Sequence, residues 1–166
     1  MEGIMTKKNQ VLCFLLLISL SLFSQGNDQT RAISITYPAN EQPVTYKGES
    51  IKFSSVAAID KDYVPVVFIQ DPTKQWWPWL TSNSNNSTRT SWELTPVQFG
   101  VPSDFNKTFG IVIVAIPLKD IDNGILAGDN NTIFIEGGTA IKNSIFSRII
   151  LKQYPTQSRK IVVIRQ

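Results

Sequence analysis

The 166-residue chain has no histidine, and its single cysteine, Cys13, lies in an apolar stretch near the N-terminus. These absences remove most familiar catalytic arrangements. A serine triad has no imidazole to take the hydroxyl proton. A thiol nucleophile has no place beyond the leader, and the His/Cys ligand sets of zinc cannot be assembled. A serine–lysine dyad stays formally open, with no motif behind it. One cysteine forms no intrachain disulfide, so a hydrophobic core must hold the fold. Excess charge is also scarce, with 16 Lys and Arg against 13 Asp and Glu. Basic residues are scattered except for Lys152, Arg159, Lys160 and Arg165, which read as a solvated strand edge. Nucleic-acid binding normally needs a concentrated basic stripe, and none is expected here.

What is present starts with an export signal. Lys7 and Lys8 precede the apolar run Val11–Phe23, and Ser24-Gln25-Gly26 supplies small residues for cleavage after Gly26. The run is shorter than the roughly 20 apolar residues of a spanning helix; an uncleaved anchor is the alternative. Residues 1–26 are thus expected to be a signal peptide and residues 27–166 one extracytoplasmic domain. That domain would be secreted, periplasmic or on the cell surface.

The rest alternates like β-structure. Ile33, Ile35 and Tyr37 share one side of a first strand, and Ile51, Phe53, Ser55, Ala57 and Ile59 one side of a second. Val64–Gln70 is strongly β-forming, with Val64, Val66 and Phe68 opposed to Val67 and Ile69. Thr81–Thr90 is too polar to bury anything and reads as a surface loop. Thr108–Ile116 is apolar on both faces, which predicts a central strand covered above and below. Lys119–Asn131 reads as loop and Thr132–Glu136 as a short strand. Thr139–Leu151 carries helical spacing, with a strand over Ile145–Leu151 as the alternative, and Lys160–Arg165 is a last strand. About seven strands with intervening turns predict an all-β, immunoglobulin-like antiparallel β-sandwich with one short helix.

A series of short motifs strengthens that expectation: Ile35 to Pro38, then Trp76-Trp77-Pro78, then a strand carrying Trp92. Phe99-Gly100, Asp104, the strand Phe109 to Ile116 and a terminal strand ending in Arg165 complete it. The order resembles a group of functionally uncharacterised bacterial extracytoplasmic domains with an immunoglobulin-like sandwich, over roughly Ile33 to Arg165. Members often place glutamine after the proline, where this chain has Trp79. The resemblance implies a fold and a position at the cell envelope, and it carries over no catalytic residue.

Trp76, Trp77 and Trp79 are the candidate ligand-binding residues. On a strand Trp77 and Trp79 share a face and Trp76 takes the other, while Pro78, without an N–H, suits a sheet edge or strand end. A flat aromatic pair on such an edge suits stacking against sugar rings; core packing of Trp76 or Trp77 is the competing expectation. The aspartates Asp60, Asp62, Asp71, Asp104, Asp120, Asp122 and Asp129 read as turn residues. In Asp120-Ile121-Asp122-Asn123-Gly124 the glycine comes too early for an EF-hand, whose closing glutamate is missing. No metal and no cofactor is expected. Asn85, Asn86, Asn106 and Asn130 are glycosylation sequons if the organism modifies asparagine. The sequence thus points to a non-catalytic binding module, for carbohydrate first. A structural or protein-interaction domain docking a partner at a sheet edge (near Pro78 or at Lys160–Arg165) is the alternative. A glycosidase with two acids in one cleft is the remote one.

Overall fold

The computed structural model describes residues 33–81, 88–126, 132–133, 135 and 139–166; the signal segment lies outside them. Strands β1 (Ile33–Tyr37), β3 (Glu49–Ser55) and β6 (Ser91–Val97) form a three-stranded sheet in the order β1-β3-β6. A larger sheet contains β2 (Pro43–Val44), β4 (Tyr63–Gln70), β5 (Gln75–Leu80), β7 (Thr108–Pro117), β10 (Ile141–Lys142) and β11 (Ile161–Arg165). Its order is β10-β5-β4-β7-β11-β2. Among the described strands every pairing is antiparallel except that of β11 with β2, and an isolated parallel bridge joins Ile33 to Ser158. Among the described residues seven strands have five residues or more. Their layout matches strands A, B and E facing C′, C, F and G of an immunoglobulin-like sandwich. The expected fold class is present.

Alternation accounts for how the layers meet. From β7, Phe109, Ile111, Ile113 and Ala115 enter the core between the sheets, joined by Val67 and Ile69 of β4 and by Ile33, Ile51 and Phe53 of the small sheet. Val112, Val114 and Ile116 of β7, with Val64, Val66 and Phe68 of β4, point to the opposite face, which is also buried. A strand apolar on both sides needs two covers, and the chain supplies the second one between β7 and β11. This excursion contains α1 (Leu118–Asn123), a β8–β9 ladder (Ile125–Leu126 with Thr132–Ile133), β10 and a helical stretch, α2, over residues 143–153. The middle of α2, Phe146–Ile150, is π-helical. Phe146 and Ile150 from α2, Ile121 from α1, Ile125, Ile135 and Tyr154 fill this second core.

Several expectations need correction. Lys119–Asn131 is no simple loop, because Ile121 and Ile125 are drawn into the second core and order α1 and β8. Residues 145–151 are helical, which removes the strand alternative, and β3 ends at Ser55, short of Ile59. Thr81 is buried, its hydroxyl donating to the Pro65 carbonyl at 2.6 Å. The terminal strand offers no open edge: β11 lies between β7 and β2. Arg165 is correspondingly buried rather than solvated.

Candidate functional site

β5 sorts the tryptophans by strand parity. Trp76 faces the second core, only 3% exposed, with its ring stacked on Phe146 at 4.1 Å. Its indole N–H donates to Asn143 Oδ1 at 2.9 Å, which also accepts from Gln70 Nε2 at 3.0 Å. Gln70 Oε1 accepts from Lys160 Nζ at 2.6 Å, and that ammonium lies 5.4 Å from the Trp76 ring centre. The lysine reaches across Gly110, where an added Cβ would stand 2.6 Å from Lys160 Cε. Burial, then the nearby Lys74, holds the Lys160 pKa below the ordinary lysine value. Trp76 is therefore a core residue, and its assignment as a ligand contact is withdrawn on grounds of access.

Trp77 and Trp79 point the other way, two residues apart and so about 7 Å along the strand. Trp77 is 39% exposed, whereas Trp79 is half-buried against the core between the sheets. Both line a groove of about 700 Å³. One wall is the β4–β5 turn with Asp71 and Thr73, and the other is the β6–β7 connection with Gln98, Gly100, Val101, Asp104 and Lys107.

Asp71 organises the first wall. Its Oδ1 accepts from Thr73 Oγ1 at 2.6 Å and from the Gln75 N–H at 3.0 Å, while Oδ2 accepts from the Trp77 indole at 2.8 Å. The tryptophan ring is thereby held in one orientation. Burial pushes the Asp71 carboxyl up, but donation from Thr73, Trp77 and Gln75 outweighs it, and the pKa ends below the usual aspartate value. On the second wall Asp104 Oδ2 accepts from the Val101 N–H at 2.9 Å, and Oδ1 meets Lys107 Nζ at 3.0 Å. The Val101 donation, followed by Lys107, lowers its pKa.

The second wall is latched to the end of the chain. Arg165 donates from Nη1 to the Val101 carbonyl and from Nη2 to that of Pro102 at 3.1 Å, its guanidinium 4.7 Å from the Tyr46 ring centre. Backbone bonds from Asn106 N–H to Arg165 O and from Arg165 N–H to Lys107 O complete the junction. Gly100, at φ +70°, makes the turn above Phe109.

A second cavity, of about 740 Å³, lies at the other end of β7 and includes Asp62, Tyr63, Asp120 and Tyr154 in its lining. The Tyr154 hydroxyl donates to Asp120 Oδ2 at 2.8 Å, and burial followed by that carboxylate pushes its pKa well up. Among the described residues no three His, Cys, Asp or Glu side chains could together hold a metal ion, and no helix is long and apolar enough to cross a membrane. Asn106 is exposed; Asn85, Asn86, Asn130 and Asp129 lie outside the described residues.

Of the expected contacts the fold thus brings Trp77 and Trp79 together and sends Trp76 elsewhere. Asp71, Asp104, Lys107 and Arg165 join the site without having been singled out for binding. Asp71 carried a local signal in the Asp71-Pro72 turn six residues before Trp77, and Asp104 and Arg165 stood in the motif series with no binding role attached. Compared with known proteins, the chain matches no family model, no curated protein and no solved structure.

Proposed function

We propose that the chain is an exported, non-catalytic binding module that takes carbohydrate in the Trp77–Trp79 groove. One observation carries this reading: an accessible indole, fixed edge-on by a carboxylate, forms part of a groove with polar groups on both walls. A pyranose presents an apolar C–H face to such a ring and hydroxyls to such walls, while polar groups fix its orientation. The signal-like N-terminus supports a role outside the cytoplasm, and the family resemblance agrees with it. A glycosidase reading fits less well although Asp71 and Asp104 share the groove. Paired-acid hydrolysis needs one carboxyl held protonated, and both carboxyls here are displaced toward ionisation. Docking of a partner strand is also less favoured, because β11 has neighbours on both sides and Pro78 gives its edge no N–H.

A glycan array probed with wild type and Trp77→Ala tests the proposal. Retained melting temperature with lost glycan binding is the expected result. Trp77 is the better position for this than Trp79, which packs on the core. Undiminished glycan binding by a folded Trp77→Ala protein ends the proposal.

A further inference from the structure

We propose that the sugar taken by this groove carries a free ammonium, making the ligand a glycan of unacetylated amino sugars; the inference rests on the carbohydrate reading above. The argument begins with charge. Three ionisable groups line the groove: Asp71, Asp104 and Lys107. Lys107 closes on Asp104 at 3.0 Å, so those two charges offset each other. Asp71 makes no ion pair among the described residues, and Lys74 of the same turn does not pair with it. The donors that hold Asp71 are all neutral: a hydroxyl, a backbone amide and an indole. They keep it ionised and leave its charge unbalanced.

Ring chemistry points the same way. The Trp77 N–H donates to this anion at 2.8 Å, which enriches the π-system with electrons while leaving 39% of the residue exposed. An indole face is the aromatic surface that attracts cations most strongly. A ring-borne ammonium can therefore meet a π-face and an unpaired carboxylate together. A neutral sugar would leave Asp71 uncompensated, and a uronate would face it with like charge.

Calorimetric titration of the secreted chain with three β-1,4-linked hexamers separates these cases. Hexaglucosamine and cellohexaose differ at C2 only by ammonium against hydroxyl, and the β-1,4-glucuronate hexamer, which differs from cellohexaose only by carboxylate at C6, carries the opposite charge. Hexaglucosamine is expected to bind at least roughly tenfold more tightly than cellohexaose, the gap shrinking with salt, and the glucuronate hexamer not to bind. Asp71→Asn should close that gap, while the ligand comparison itself needs no variant. Equal affinity for hexaglucosamine and cellohexaose overturns the ammonium inference and leaves the carbohydrate reading standing. Preference for the uronate overturns it likewise. Binding of a lysine-rich peptide without any glycan, or no glycan binding at all, overturns both.

Discussion

Replacing Trp76 and Trp77 separately by alanine is the sharpest test of how β5 divides its side chains. Trp76 is almost fully enclosed, stacks on Phe146 and donates to Asn143. Truncating a buried aromatic of this size costs roughly 3–5 kcal/mol, and the lost stack and hydrogen bond place the expectation at about 4 kcal/mol. Against a total stability of about 5–15 kcal/mol that is a large share. With a urea slope near 2 kcal/mol/M the unfolding midpoint should fall by about 2 M. Trp77 loses one exposed hydrogen bond and partial packing, so its truncation should cost about 0.5–1 kcal/mol, a midpoint shift under about 0.5 M. Equilibrium urea unfolding followed by far-UV circular dichroism reads both without depending on tryptophan emission. A Trp76→Ala shift below about 0.5 M, or equal shifts for the two variants, would refute the assignment of Trp76 to the core.

Three further outcomes follow from the walls of the groove. Arg165→Lys cannot reproduce the two-carbonyl clamp on Val101 and Pro102 and should cost about 2 kcal/mol, read by thermal unfolding, with faster amide exchange across residues 100–107. Gly100→Ala places a Cβ 2.7 Å from Phe109 Cζ at a positive φ, and should destabilise by more than about 1 kcal/mol in the same assay. Asp71 and Asp104 both have folded pKa values below the unfolded one. Their stabilising contribution is complete above the unfolded value of about 3.9 and disappears as pH falls through the lowered folded values. Melting temperature should therefore decline on acidification below about pH 4, and less steeply in a folded Asp71→Asn variant.

How far the sequence was legible depended on the range of the interaction involved. The two faces of β4 and β7 could be separated residue by residue, because strand parity is a local property and a strand apolar on both sides demands two covers. That α1, β8, β10 and α2 would provide the second cover could not be read. Their individual apolar residues, such as Ile121, Ile125 and Ile141, are sparse and make sense only against the sheet they pack on. Of the four C-terminal charges, Lys152, Arg159 and Lys160 are exposed as expected, and Arg165 alone misled, for the same reason. Arg165 looks solvated in sequence, and only the Val101 and Pro102 carbonyls opposite it explain why it is buried.

On its own, then, the amino-acid order determined the all-β sandwich and the opposition of Trp76 to Trp77 and Trp79, since side-chain alternation along a strand is set by backbone geometry alone. Tertiary structure decided which side of β5 is sealed and which is open. Phe146, some seventy positions later in the chain, closes over Trp76, whereas the β6–β7 connection stands back from Trp77 and leaves a groove. Burial is a property of what arrives from a distance, and no local pattern encodes it.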